Sequence, residues 1–205
     1  MNEDLNCNKR LYVRYSGGIS RNSFNALIQQ LQPRINTNRF NEIYLCLSSC
    51  GGDVGCGIEI YNYFKSLSQI KIITHNFGVI DSIANVIFLA GEERYASTGT
   101  SFLIHGVSFH INGQFEANYS TLNEFLSKIK QDENRIIDIF VKETELQKED
   151  IQKLFREGES KDCEYAKKTK IINDIKNADI TTQNPIINII ADNMGNILSC
   201  YSYNC

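Results

Sequence analysis

Hydrophobic residues in the first half of the chain switch repeatedly between strand spacing and helix spacing. Residues 11–15 alternate like a strand, and residues 24–31 repeat apolar side chains at helical intervals up to Pro33, which we expect to close that helix. Further strands are predicted at 43–47, 70–74, 93–95 and 101–105, and further helices at 58–67 and 82–90. This alternation predicts an α/β layered domain with parallel strand pairing.

One long amphipathic segment follows in the second half. Apolar side chains at helical spacing from Ser120 to Lys142 predict a helix with one apolar and one charged face. A shorter helix is predicted from Lys148 to Arg156, before a charged segment that ends near Ile175. The long helix therefore has an apolar stripe that must pack within the subunit or against another one.

The C-terminal tail has a different pattern. Short apolar runs at 186–190 and 197–201 flank a turn-like segment, and they predict a hairpin. We draw the only domain boundary near Asn177. The prediction is one domain over residues 1–177 and a C-terminal extension, 178–205, packed on that domain or on a neighbouring subunit.

Composition and charge narrow the classes of function. Of 205 residues, 42% are hydrophobic and 22% charged, and the formal net charge of −3 offers no basic surface for nucleic acid or anionic lipid. The first six residues are acidic and polar, unlike a secretory signal, and no apolar run is long enough to cross a bilayer. We expect a cytoplasmic protein with no nucleic-acid or membrane partner.

The cysteines are expected to be free thiols, with no disulfide framework and no metal site. Seven is an odd number in a chain large enough to fold without disulfides, so a reducing compartment is expected. Cys46, Cys50 and Cys56 cluster in sequence, but they lack paired C-x-x-C spacing and have no histidine nearby. We interpret them as buried or loop thiols and predict no metal and no cofactor.

Three features lie near the carboxyl ends of predicted strands, where α/β folds place their sites. They are the pair Gly51-Gly52, Ser82 at the start of an apolar helix, and His105 at the end of a strand. Taken singly, each has an ordinary explanation: a turn, a helix N-cap and a core histidine. Together they supply the parts of an oxyanion hole, a nucleophile and a general base.

With this combination the sequence resembles the Clp protease proteolytic subunit family. Residues 48–54, Ser-Ser-Cys-Gly-Gly-Asp-Val, are similar to that family's Asn-Ser-Pro-Gly-Gly loop. Residues 78–91 resemble its nucleophile segment, and residues 101–105 resemble the strand that ends in its catalytic histidine. The likeness runs from about Tyr12 to Ile175.

The resemblance implies a ClpP/crotonase-type fold of repeated strand-strand-helix units with a long protruding oligomerisation helix. Ser82 would attack a peptide carbonyl, His105 would transfer the proton, and the amides of Gly52 and Ile83 would hold the oxyanion. It also implies a homo-oligomeric chamber that hydrolyses peptides or unfolded protein, with an AAA+ ATPase unfoldase as a partner. Only about ten residues precede the first strand, so we expect the segments that contact this ATPase to be shortened.

Several residues depart from the family pattern. Gly158 falls where the family carries its triad aspartate, and Glu157 and Glu159 flank it, so a shift of one residue would let either carboxylate support the histidine. Asp53 and Asp81 introduce negative charge beside the glycine loop and the nucleophile. These carboxylates either oppose the developing oxyanion or cap the helices that follow them; we favour capping for Asp53.

These departures keep other hypotheses open. The second is a catalytically weak or inactive ring subunit with a structural or regulatory role. A third is a crotonase-type acyl-CoA enzyme, for which we find no phosphate-binding patch in the sequence. A serine–lysine protease would need Lys128 or Lys130 to approach the nucleophile.

Overall fold

Strands and helices alternate along the chain much as the hydrophobic spacing predicts. The structure is a computed structural model and describes residues 10–37, 39–108, 118–180 and 184–203. Its strands are β1 (Arg10–Ser16), β2 (Glu42–Ser49), β3 (Lys71–Asp81), β4 (Glu93–Ala96), β5 (Ser101–Leu103), β6 (Ser160–Asp162), β7 (Asp174–Ile175), β8 (Ile186–Ala191) and β9 (Ile197–Tyr203). Its helices are α1 (Arg21–Ile35), α2 (Val54–Ser66), α3 (Ala84–Phe88), α4 (Tyr119–Glu143), α5 (Lys148–Glu157) and α6 (Cys163–Lys168).

Parallel pairing at the centre of the sheet brings the ends of several strands to one edge. The strand order is β6-β5-β3-β2-β1-β8-β9, with β4 pairing to β3 and to β7. Arg10, Glu42 and Lys71 stand side by side at the start of β1, β2 and β3. The carboxyl ends of these strands therefore share the opposite edge, and the predicted α/β fold is confirmed.

The central strands β1, β2 and β3 are buried along most of both faces, which explains their nearly continuous apolar sequences. The main core contains the largest fully buried side chains, among them Phe64, Phe88 and Phe102. A second, smaller cluster lies elsewhere on the sheet and contains Tyr12, Tyr44, Cys46 and Ile73. Because both faces exclude water, the strand ends are fixed firmly enough to carry a site.

Helix α4 has two halves with different environments. Its buried residues, Asp132, Ile136, Ile137 and Phe140, all lie in the second half. Its first half exposes Tyr119, Leu122 and Leu126 to solvent. Within the described residues no helix, α4 included, is long and apolar enough to cross a membrane.

Several predicted boundaries are wrong. The strand predicted at 101–105 ends at Leu103, so His105 lies two residues beyond it. Strand β3 continues past residue 74 to Asp81, because residues 79–81 pair with β5 and extend the strand beyond its first apolar run. The predicted helix 82–90 is shorter, with α3 covering Ala84–Phe88. Pro33 lies inside α1 and does not close it, since a proline in the last turn removes one backbone donor and keeps a helical φ.

The C-terminal segment forms a hairpin on the sheet of its own subunit. Strand β8 pairs in parallel with β1, and β9 pairs antiparallel with β8 at the end of the strand order. The hairpin thus extends the sheet beyond β1. The boundary near Asn177 stays a prediction.

Candidate active site

Ser82 lies on a tight turn between β3 and α3. Its φ of 55° is in the left-handed region, which costs a non-glycine residue about 1–2 kcal/mol. The turn is held by the Ser82 amide, which donates to the Leu103 carbonyl at 2.8 Å. Helix α3 begins after Ile83 and has no side-chain cap, so the N-cap explanation of Ser82 is wrong.

The glycine loop packs directly against this serine. A Cβ atom placed on Gly51 would lie 2.6 Å from the Ser82 Cβ and 3.2 Å from its Oγ. Gly51 also has a φ of 88°, which favours glycine. Any larger residue at position 51 would displace the serine side chain.

Hydrogen bonds on one side of the loop fix the direction of the Gly52 amide. Ile19 donates its N–H to the Gly51 carbonyl at 2.7 Å, and its carbonyl accepts from the Asp53 N–H at 2.9 Å. Gly52 lies between the two residues that bind Ile19. In such a parallel bridge its N–H points away from Ile19, toward the side of the sheet where β3 lies. The Gly51 N–H is bound to Ser49 Oγ at 3.1 Å, whereas the N–H of Gly52, an exposed residue, has no partner among the described residues.

His105 follows β5 by two residues and is half-buried. Its Nδ1 lies 2.8 Å from the Gly106 carbonyl, and because a carbonyl only accepts, this bond places the ring proton on Nδ1. Nε2 is then the basic nitrogen. Within the described residues no hydrogen bond joins His105 to Ser82. The Ser82 amide binds the Leu103 carbonyl, and His105 follows Leu103 by two residues, at most about 7 Å of extended chain.

Gly158 lies two residues before β6, the strand that pairs with β5. The antiparallel register of β5 and β6 pairs Leu103 with Ser160, and extending this register beyond the strand ends would set residue 105 opposite residue 158. Gly158 ends α5 with a φ of 60°, and a Cβ atom added there would meet nothing within 4 Å. The position expected to carry an acid therefore has open space in place of a side chain.

The two flanking glutamates face another partner. Glu157 and Glu159 each bind the Lys161 ammonium at 3.1 Å, and the hydrogen bond from Lys161 lowers the pKa of Glu157. Neither has a hydrogen bond or an ion pair with His105 in the part of the chain that the structure describes. The structure thus places the glycine loop against Ser82 and binds the Ser82 amide to Leu103, two residues before His105, and it leaves both glutamates on the surface.

The two additional aspartates have different environments. Asp53 caps α2 by accepting from the Cys56 N–H at 2.7 Å, so the capping prediction is confirmed. Asp81 is half-buried and pairs in register with Leu103. Burial raises the pKa of the Asp81 carboxyl, and a backbone hydrogen bond from Leu103 and the charge of His105 oppose that rise. Asp81 is therefore an electrostatic neighbour of the histidine.

Sequence reasoning missed Asn85, whose side chain binds the backbone of the Ser82 turn. Its Nδ2 donates to the carbonyls of Ile80 at 3.1 Å, Ser82 at 3.0 Å and Leu103 at 3.0 Å. Its Oδ1 is buried with no partner among the described residues. The signal was present in the sequence as a single asparagine within the apolar run 82–90.

A second serine and histidine, Ser97 just after β4 and His75 in β3, also contact each other. Ser97 Oγ lies 3.0 Å from His75 Nε2, and the Tyr44 hydroxyl lies 2.6 Å from His75 Nδ1. His75 is fully buried, and desolvation lowers its pKa to about 4. This ring is neutral near pH 7.

The clustered cysteines are thiols of ordinary packing. Cys46 and Cys56 are buried and Cys50 is exposed. Burial raises the pKa of Cys46 to about 12 and that of Cys56 to about 11, so both stay protonated near pH 7. In the described ranges no three histidine, cysteine, aspartate or glutamate side chains are grouped to hold a metal ion.

Comparisons with known proteins agree on one family. A family model described as Clp protease matches residues 6–179. The chain is 31% identical over 83 residues, 40% of its length, to an ATP-dependent Clp protease proteolytic subunit of Cyanophora paradoxa. It is 25% identical over 121 residues, 57% of its length, to an ATP-dependent Clp protease proteolytic subunit 2 of Treponema denticola. The matched segments span 42% and 60% of the lengths of these two relatives.

Solved structures share the fold. ClpP1 from Listeria monocytogenes superposes with a TM-score of 0.67 at 23% identity, covering 82% of this chain and 92% of that one. A mutant form of the same Listeria protein gives a TM-score of 0.69 at 21% identity, covering 82% of this chain and 91% of that one. The family-model match ends at residue 179, before the C-terminal hairpin begins.

Proposed function

The chain belongs to the Clp protease family, and we propose that it is a serine endopeptidase in which Ser82 is the nucleophile and His105 the general base. The observation that carries this proposal is the Ser82 turn. Its strained φ presents the hydroxyl at a strand end, and the carbonyl that binds its amide belongs to Leu103, two residues before His105. Strain of this kind persists where the surrounding structure enforces it.

The proposed reaction is acyl transfer from a peptide bond. His105 Nε2 takes the proton of Ser82 Oγ as the oxygen attacks the carbonyl carbon, and it returns that proton to the leaving amine. The amides of Gly52 and Ile83 would hold the oxyanion, and the direction of the Gly52 N–H, away from Ile19 and toward the side of β3, supports its part in this role. Water then repeats the sequence on the acyl enzyme and releases the second product.

The Gly106 carbonyl can orient the His105 ring, which is one of the two tasks of the acid in a catalytic triad. A triad acid holds the imidazole in one tautomer and stabilises the imidazolium formed during attack. The bond from His105 Nδ1 to Gly106 supports the first task, but a neutral carbonyl compensates charge less well than a carboxylate. We therefore expect slow turnover.

Gly158 favours a second candidate, a catalytically weak or inactive ring subunit. Neither Glu157 nor Glu159 is turned toward His105, since both bind Lys161. In this case the chain would contribute to an assembly whose hydrolysis another subunit performs. Peptide hydrolysis by the purified chain alone, lost in Ser82→Ala, would exclude that role.

We also propose assembly into a chamber through the first half of α4. Tyr119, Leu122 and Leu126 form an exposed apolar stripe at helical spacing, which a second subunit would cover. The named relatives are ATP-dependent, and we propose that an AAA+ ATPase supplies unfolded protein to this chain as well. Sedimentation of the wild type against Leu126→Glu tests the assembly, which should dissociate when a charge enters the stripe.

The decisive experiment uses a fluorophosphonate probe, which reacts with an activated serine. Labelling of the wild type should disappear in Ser82→Ala. The matched control is Ser97→Ala, which removes the other serine that lies beside a histidine and should keep the label. Labelling that survives Ser82→Ala, or that is lost in Ser97→Ala alone, would remove Ser82 from the nucleophile role.

A further inference from the structure

The turn of the C-terminal hairpin, residues 192–196, lies against the segment 17–20 that follows β1. The Gly18 N–H donates to the Asp192 carbonyl at 2.9 Å, and Ser20 Oγ donates to the Gly195 carbonyl at 2.8 Å. A Cβ atom on Gly18 would lie 2.3 Å from the Asn193 carbonyl oxygen, so the two backbones touch. This contact leaves the segment little freedom to shift.

The same segment holds the glycine loop. Ile19, between the two residues that the hairpin binds, donates to the Gly51 carbonyl at 2.7 Å and accepts from the Asp53 N–H at 2.9 Å. Cys50, just before the loop, also lies 3.9 Å from the Asn193 side chain, measured from Sγ to Oδ1. A continuous path of contacts therefore runs from the hairpin turn to the Gly52 amide.

Asp192 is the residue that shapes this turn. Its carboxylate accepts from the backbone N–H groups of Met194 and Asn196 and from the Asn196 side chain, each at 2.9 Å. Its backbone carbonyl accepts from Gly195 at 3.0 Å as well as from Gly18. Loss of the carboxylate would free the turn while leaving the pairing of β8 and β9 intact.

We propose that Asp192 is a positioning residue for the oxyanion loop, acting through the hairpin turn and Ile19 to hold the Gly52 amide in place. The inference rests on the proposed function, in which that amide stabilises the transition state. Residues 186–203 lie beyond the family-model match, so this chain carries a support for its glycine loop that the matched segment does not contain. A support of this kind acts on transition-state stabilisation more than on substrate binding.

The test compares Asp192→Ala with Asp192→Asn and with Leu198→Ser. Asparagine keeps the acceptor that binds the turn amides, and Leu198 is an exposed hairpin residue. In Asp192→Ala, hydrogen exchange at the Ile19 and Asp53 amides should accelerate by about tenfold, with the Leu45 amide of β2 unchanged. The kcat for a peptide substrate should fall by about tenfold or more at a KM within about twofold, and Asp192→Asn should restore both.

Two readouts separate this inference from the proposed function. Unchanged exchange at Ile19 and Asp53, an equal acceleration at Leu45, or the same effect in Leu198→Ser would overturn the positioning role. A wild type that neither hydrolyses peptides nor reacts with fluorophosphonate would refute the proposed function, and the exchange measurement would still decide whether the hairpin holds the loop.

Discussion

Two combinations of a serine and a histidine lie at or near strand ends, Ser97 with His75 and Ser82 with His105. They differ in hydrogen bonding, in backbone strain and in burial. Ser97 and His75 are hydrogen-bonded at 3.0 Å, with Tyr44 on the far side of the ring. Ser82 and His105 share no hydrogen bond among the described residues, yet Ser82 sits on a strained turn against a glycine loop. A short distance between a hydroxyl and an imidazole therefore does not identify the site.

Burial accounts for the difference. His75 is fully enclosed, and desolvation lowers its pKa to about 4, so its ring is a weak base. His105 is half-buried, and its Nδ1 is bound to a carbonyl, which leaves Nε2 as the accepting nitrogen. His75 joins Tyr44 of β2 to Ser97, which follows β4, whereas Ser82 and His105 are both partly exposed.

The largest expected effect concerns the open position at Gly158. Gly158→Asp should raise peptide turnover by about 10² or more, because loss of a triad acid costs about 10⁴ in the serine-protease precedent. The left-handed φ of 60° suits aspartate better than most residues, and no atom lies within 4 Å of the added Cβ. The measurement is kcat/KM for a peptide substrate.

Gly158→Asn is the matched control for that change. It places a side chain of the same size in the same backbone conformation without a negative charge. Equal rates in the two variants would contradict the assignment of position 158 as the acid position.

The next effect concerns the buried pair and the pH dependence of stability. The pKa of His75 is about 4 in the folded chain and about 6.5 when unfolded, so the unfolded state binds the extra proton between these values. The contribution of His75 to the free energy of unfolding should be constant above pH 6.5 and fall by at most about 3 kcal/mol as the pH drops to 4. Urea unfolding at pH 7, 5.5 and 4.5 measures it.

His75→Gln separates this loss from the titration of carboxylates. Glutamine retains hydrogen-bonding groups and does not titrate, so the variant should lose less stability than the wild type over the same pH range. Parallel stability curves for the two proteins would show that His75 is not the group responsible.

The fold was predictable because its strands and helices have distinct hydrophobic periods. Residues 120–142 repeat apolar positions at helical spacing, and α4 covers Tyr119–Glu143. The end of β3 was missed because His75 and Asn76 interrupt its apolar run, although both are buried and hydrogen-bonded to residues of other strands, Tyr44 and Ser101. Periodicity alone does not reveal such partners.

The site was predictable only in part. Ser82, His105 and the glycine pair stand in a recognisable order in the sequence. The role of Asn85 and the path from Asp192 to the loop depend on contacts between residues far apart in the chain, such as Gly18 with Asp192. Their local sequence gives no indication of these contacts.

Two buried asparagines, Asn85 and Asn76, allow us to compare a residue that stabilises the fold and the Ser82 turn with one that stabilises the fold alone. Asn85→Ala and Asn76→Ala each remove an amide that donates to a carbonyl of β5, at Leu103 and Ser101 respectively. Each should lower the free energy of unfolding by about 2 kcal/mol, because buried carbonyls lose their partners. Chemical denaturation measures this loss.

The two variants should differ in reactivity. Only Asn85 also binds the Ser82 carbonyl, so only Asn85→Ala should slow fluorophosphonate labelling, by about tenfold. Equal labelling rates at matched folded fractions would reduce Asn85 to a residue that supports the fold alone.

The smallest expected effect concerns the glutamates beside Gly158. Glu157→Gln and Glu159→Gln should each change kcat/KM by less than about twofold, because both carboxylates bind Lys161 on the surface and neither contacts His105 among the described residues. Raising the salt concentration should have an equally small effect, since it screens the same exposed pairs. A loss of about 10² in either variant would identify that glutamate as the acid of the triad, and it would mean that substrate binding turns the carboxylate away from Lys161 and toward the histidine.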